Sequence, residues 1–238
     1  MEIKIIFEDD YLCVVDKPAG VVVNDADTAK GETIQEWFGN KILSSKSETL
    51  NSEFGKKGGV VHRLDKDTSG VLILAKTEPI YEGLKKQFME RTTKKQYIAL
   101  VHGNLHPDTG EISLPIDRHP GNPKKFAVSE NLSRMAITEW KVLEKFGSGS
   151  AGYTLVELSP HTGRTHQLRV HMQHLHHPIV SDPIYGYLKT WKQDLKWCKR
   201  LFLHAKLLEI IHPETQLKLK FEAELPIDLE QARKSLIH

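Results

Sequence analysis

The sequence predicts a mixed fold of helices and antiparallel strand pairs, and three observations carry that expectation. Apolar runs of strand length come in pairs joined by short polar or glycine-rich turns, at 3–7 with 11–15, 135–145 with 153–158, and 201–211 with 216–223. Apolar residues recur at helical spacing in stretches between them, at 32–43, 77–91 and 164–176. The chain has 238 residues, 39% of them hydrophobic and 27% charged, which suits one soluble chain with a substantial core.

The first hairpin turns on Glu8-Asp9-Asp10, and Asp16-Lys17-Pro18-Ala19-Gly20 then breaks the strand before Val21-Val22-Val23 resumes it. Ile34, Trp37, Phe38 and Leu43 give the helix at 32–43, whereas 44–58 has little to bury and reads as a mobile connection. Val60-Val61 and Val71 to Ala75 read as buried strand. Thr77 can cap a helix to about Arg91, with Ile80, Leu84 and Phe88 on one face and Pro79 in its first turn. Gln96 to Val101 is the next strand, and 115–125, with three prolines, reads as an extended loop. Leu168, Met172 and Leu175 mark a helix from roughly 164 to 176 that Pro178 stops. Residues 189–200 hold Lys189, Lys192, Lys196, Lys199 and Arg200 against Asp194, with Trp191 and Trp197 interleaved. A short helix follows Pro226. No internal repeat and no linker between two cores is visible.

Several classes of function fall away at this stage. The net charge is only +2, so any nucleic-acid footprint must be local. Cys13 and Cys198 fit no metal or redox motif. No apolar run approaches the roughly 18 residues that span a bilayer. Met1-Glu2-Ile3-Lys4 is neither a signal nor a transit peptide, so a cytoplasmic protein without a membrane partner is expected.

The densest chemistry lies between two apolar runs, in His62-Arg63-Leu64-Asp65-Lys66-Asp67-Thr68-Ser69-Gly70. A charged loop on a rigid apolar frame is a common way to build a site; spacing alone fits a solvated turn as well. The wording of that loop resembles the signature of the pseudouridine synthases, in their RluA-like, large-subunit ribosomal RNA branch. Lys17-Pro18-Ala19-Gly20 is similar to a further family motif upstream. Lys94 to Val101 resembles the family's second motif, and Thr162-Gly163-Arg164-Thr165-His166-Gln167-Leu168-Arg169-Val170-His171 resembles the third.

The resemblance covers about residues 5 to 223. It implies an α+β fold, a single catalytic domain over 1–238 on a long, mostly antiparallel, bent sheet, with no separate N-terminal RNA-binding domain. It implies that Asp65 is the catalytic residue, that Tyr97 packs against the target base, and that Arg169 pairs with Asp65. Arg63, with less support, would fill the stack when a nucleotide is flipped out. His62, Arg164, His166, Lys124 and Lys125 are further expected RNA contacts, and 115–125 with 189–200 are the expected docking surfaces. The implied partner is RNA, ribosomal or transfer RNA, with ribosomal RNA favoured, and a monomer is expected. The isomerisation changes no oxidation state and takes up no external group, so no cofactor and no metal is expected.

Three other readings compete. Asp65 and Asp67 could be a glycosidase-like pair, but an i, i+2 pair in a loop fixes no separation. His171, His174, His176 and His177 could bind metal, but no Cys partner or HExxH pattern accompanies them. A non-catalytic RNA-binding protein of the same fold is the main rival, and the presence of Asp65, Tyr97 and Arg169 argues against it.

Overall fold

Asp9 closes the first hairpin with its own side chain, Oδ1 accepting from the backbone N–H groups of Tyr11 and Leu12, both at 2.8 Å. The strands it joins, β1 (Lys4–Glu8) and β2 (Leu12–Lys17), pair antiparallel. They belong to a computed structural model that describes residues 2–25, 31–43, 52–122 and 125–237. The chain divides into two units, Met1–Lys94 with Ala205–Glu224 and Lys95–His204 with Leu225–His238.

In the first unit β2 pairs antiparallel with β3 (Ser69–Ala75). β3 neighbours β9 (Leu203–Ile211), which pairs antiparallel with β10 (Lys218–Glu222). All seven residues of β3 are buried, as its unbroken apolar run requires. Helix α3 (Glu78–Glu90) sets Ile80, Tyr81 and Leu84 against Leu12, Val14, Val71, Ile73 and Phe221. Such burial stabilises by roughly 1.5–3 kcal/mol per large apolar side chain. Thr77 precedes α3 with no side-chain cap bond, and Arg91 ends it in the left-handed conformation.

Helix α1 (Ile34–Leu43) begins with a capping box: Thr33 Oγ1 accepts from Glu36 N at 3.1 Å and Glu36 Oε2 accepts from Thr33 N at 2.9 Å. The next two N–H groups, of Ile34 and Gln35, donate to the carbonyls of Val22 and Val23. This corrects the strand expected at Val21-Val22-Val23, because two of those carbonyls are spent on a helix end instead of a ladder. Val60 likewise makes only an isolated bridge, to Leu74. Of the expected mobile connection, 44–51 lies outside the described residues. Its remainder is ordered by α2 (Glu53–Lys56), whose Phe54 is buried edge-on against Tyr81 at 5.9 Å.

The second unit pairs β4 (Lys94–His102) with β8 (Tyr153–Pro160), β8 with β7 (Met135–Phe146), β7 with β5 (Thr109–Arg118), and β5 with β6 (Phe126–Val128), all antiparallel. Leu100, Leu105, Ile112, Val156, Leu158 and Phe202 form its core with Met172 of α4 (Gln167–His174) and Leu229 of α6 (Ile227–Lys234). Helix α5 (Leu188–Asp194) carries the start of the basic stretch.

Two expectations change here. Pro115 to Arg118 is strand, not loop, since β5 exchanges β7 for β6 as partner at that point. The helix expected from 164 starts at Gln167, because the Gln167 carboxamide oxygen accepts from Arg164 N and Thr162 Oγ1 and folds the preceding residues into a turn. Trp197 is half-buried and packs edge-on against Tyr153 at 5.4 Å.

Candidate active site

Building upward from the sequence, the His62 to Gly70 loop is fastened at four points within the first unit. Leu64, the lone apolar residue in it, is buried and acts as a plug. The Asp65 carbonyl accepts from Thr68 N at 3.1 Å and closes a tight turn. Lys66 O accepts from Gly20 N at 2.8 Å and from the Lys17 ammonium at 3.1 Å. His62 Nε2 accepts from Ile73 N at 3.1 Å, so the neutral ring carries its proton on Nδ1. That ring also stacks on Phe88 with centroids 4.5 Å apart.

Lys17 is wholly buried, and its ammonium also donates to the carbonyls of Pro18 and Val21 at 2.8 and 2.9 Å. A buried ammonium survives because directed acceptors replace its water shell. Gly70 ends the loop at φ +115°, where a Cβ would lie 2.2 Å from Ala205 O; only glycine fits there. Asp65 and Asp67 are half-buried on this frame, and Arg63 is exposed.

The second unit carries the other expected residues. Tyr97 lies opposite Leu158 on β4 and is half-buried. Arg169 is buried on α4, and its Nε and Nη2 donate to the two carboxylate oxygens of Asp182, both at 2.8 Å. Asp182 Oδ1 also accepts from the backbone N–H groups of Ile184 and Tyr185 at 2.8 and 2.9 Å. The Tyr185 ring lies 5.0 Å from the Arg169 guanidinium carbon, within cation–π range.

His166 precedes α4 in the left-handed conformation, φ 56°, and its Nδ1 is 2.9 Å from the Tyr185 hydroxyl. Arg164 leans on main chain, donating to Met135 O at 3.4 Å and Ser133 O at 3.3 Å. Lys125 is half-buried, with its main chain bonded to His119 and Asn122, and Lys124 lies outside the described residues. Arg118 stands over the Phe126 ring at 5.6 Å. On α5 and beyond, Lys189, Lys192, Lys196 and Lys199 are exposed.

The third-motif string also has a buried interior. Gln167 Nε2 donates to Ile137 O and Thr138 Oγ1 at 2.9 and 3.0 Å. His171 Nδ1 is 2.9 Å from Thr138 Oγ1. Burial pushes the His171 imidazole down to about 4, with nearby His174 pushing the same way. His171 therefore stays neutral at ordinary pH. Among the described residues, no group of three or more His, Cys, Asp or Glu side chains is arranged to hold a metal ion, and no helix is long and apolar enough to cross a membrane.

Sequence reasoning missed Lys17, Asp182 and Tyr185 as participants. Lys17 stood inside a quoted motif but read only as part of a turn. Asp182 lies 13 residues beyond Arg169, in a Ser-Asp-Pro turn whose composition says nothing of an arginine.

Comparison with known proteins bears on all of this. A family model described as RNA pseudouridylate synthase matches residues 11–174, which include Asp65, Tyr97 and Arg169. The chain is 39% identical over 242 residues to "Ribosomal large subunit pseudouridine synthase D" of Nitrosomonas europaea, covering 99% of this chain and 67% of that one. A protein of the same name from Borreliella burgdorferi is 40% identical over 225 residues, covering 94% and 65%. The one from Neisseria meningitidis serogroup B is 38% identical, covering 96% and 60%, so the chain spans roughly two thirds of the length of these relatives. Among solved structures, human RNA pseudouridylate synthase domain containing 4 aligns with TM-score 0.71 at 25% identity, covering 98% of this chain and 92% of that one. Domain containing 1 aligns with TM-score 0.70 at 24% identity, covering 99% and 94%, and shares the fold. The α+β expectation holds, and on the family match and these identities the chain belongs to the RNA pseudouridylate synthases.

Proposed function

We propose that this protein isomerises particular uridines of structured RNA to pseudouridine, with ribosomal RNA as its substrate. The observation that carries the reading is the match across 11–174 with Asp65 in place on its fastened loop. The relatives' printed names favour large-subunit ribosomal RNA over transfer RNA.

The reaction breaks the N1 glycosidic bond, turns the uracil, and joins C5 to the same anomeric carbon. N1 gains a proton and C5 loses one, so the product is an isomer. Asp65 serves as nucleophile, either at the anomeric carbon or at C6 of the base. Arg169 orients that carboxylate, because a guanidinium stays charged and presents N–H donors in a fixed plane. Asp182 takes Nε and Nη2 of the same guanidinium. Tyr97 offers a flat face to the uracil and a hydroxyl for the late proton transfer at C5. A base inside a helix cannot be reached, so the nucleotide is flipped out, with Arg63 filling its place.

Tritium release from RNA carrying C5-tritiated uridine tests this. Ribosomal and transfer RNA are offered separately to wild type and Asp65→Ala. Release from ribosomal RNA by wild type alone supports the reading. Release from transfer RNA alone moves the substrate, and RNA binding without release from either supports a non-catalytic RNA-binding protein.

A further inference from the structure

We propose that Asp182 and Tyr185 are positioning residues for Arg169, and that Tyr185 ties the arginine to the β5–β6 hairpin and to His166. The inference rests on the catalytic reading above, in which Arg169 orients the nucleophilic carboxylate.

Arg169 is 4% exposed and Asp182 is 1% exposed. Two parallel N–H···O bonds of 2.8 Å fix the guanidinium plane as well as its position. Asp182 cannot drift, because its Oδ1 also holds the backbone of residues 184 and 185, and its own carbonyl accepts from Gly186 N at 3.1 Å. The acid is thus part of a folded turn. Tyr185, in the same turn, covers one face of the guanidinium with its ring. The fork is neutral as a pair, so Arg169 supplies directed N–H groups more than unbalanced charge.

The Tyr185 hydroxyl extends the arrangement outward. It accepts from Phe126 N at 2.9 Å and lies 2.9 Å from His166 Nδ1. Phe126 opens β6, pairs with Arg118 of β5 and directly follows Lys125 in the chain. His166 stands three residues before Arg169 and holds a left-handed backbone that a non-glycine residue adopts only when its surroundings enforce it. One hydroxyl therefore links an expected docking element to the side chain that aligns the nucleophile. RNA settling on the hairpin and the setting of Arg169 share a single joint.

The test compares steady-state tritium release by wild type, Arg169→Lys, Asp182→Asn, Tyr185→Phe and Asp182→Asn/Arg169→Lys, with melting temperatures. Asp182→Asn keeps the shape and an acceptor for the turn but loses one half of the fork. It is expected to lower kcat about 10- to 100-fold, as a misplaced orienting group does, with KM for RNA within about twofold. Tyr185→Phe, which keeps the ring and removes only the hydroxyl, is expected to lower kcat several-fold with an unchanged melting temperature. In the double variant Asp182→Asn is expected to add little to Arg169→Lys, because both act through one guanidinium. Wild-type kcat in Asp182→Asn and Tyr185→Phe beside a slow Arg169→Lys overturns the proposal while the catalytic reading stands. Losses that multiply in the double variant, or that appear as a raised KM, overturn it too. If Asp182→Asn does not fold, Tyr185→Phe decides. If wild type releases no tritium, the catalytic reading falls and takes the proposal with it.

Discussion

The Lys17 ammonium donates to the carbonyl of Lys66 at 3.1 Å, so the residue following Asp65 is fastened to the Lys-Pro-Ala-Gly turn by a cation with no exposed surface. Lys17→Met keeps most of the length of the side chain and takes the ammonium away from the Pro18 and Val21 carbonyls, while Lys66 O keeps only the Gly20 N–H. Each buried orphan costs about 1–3 kcal/mol. Urea unfolding is expected to show a lowered midpoint, and tritium release a lower kcat. A midpoint equal to wild type would dismiss the buried ammonium as a fastener.

Gly70→Ala places a methyl group 2.2 Å from Ala205 O at a φ of +115°. Strain of this kind costs about 1–3 kcal/mol before the overlap is counted. The variant is expected to melt several degrees lower, and calorimetry checks it. An unshifted transition would mean that β3 and β9 part easily at this point.

Stability is expected to fall as pH drops from about 6.5 toward 4, in part because of His171. Its imidazole is pushed down to about 4 by burial, so the unfolded chain takes up a proton there before the folded one does. The contribution is present above the unfolded value and is lost as pH falls to the folded one, at about 1.4 kcal/mol per pH unit crossed. His171→Gln removes the titration, and its stability should vary less with pH across that window. Parallel curves for the two proteins in urea titrations at pH 7, 6, 5 and 4 would refute this.

Lys189, Lys192 and Lys196 are exposed on and just after α5. If they meet phosphates, reversing all three to Glu lowers the slope of log K against log salt by about 2, at roughly 0.7 per contact on single-stranded RNA. The circular dichroism spectrum should not change. Filter binding at several salt concentrations measures it, and an unchanged slope assigns these lysines to bulk solvent.

How far the sequence reached follows from the range over which each cause acts. The β1–β2 hairpin was legible because apolar runs and an acidic turn between them are local. The Asp65 loop was legible through its wording, and the family match includes it. Val21-Val22-Val23 misled because β-rich residues say nothing about who takes their carbonyls, and here α1 takes two. The start of α4 was missed because Gln167, an ordinary helix residue, reaches backward to Thr162 and Arg164. Asp182 stayed invisible because its value comes from a meeting with Arg169 that turn composition does not encode. Phe54 was overlooked as one aromatic residue in a polar stretch, yet it packs on Tyr81.

Neither unit is a continuous piece of chain. The first needs β9 and β10 beside β3, and the second takes Leu229 and Ala232 of α6 into its core. About 130 residues separate the end of β3 at Ala75 from Ala205. At roughly 5–20 residues per second, a ribosome making this protein leaves one edge of β3 without β9 for about ten seconds. The fully apolar run Val71 to Ala75 spends that interval in a nascent chain whose partner strand has not yet been made. During synthesis this stretch is where holding chaperones would be most needed, long before any uridine is met.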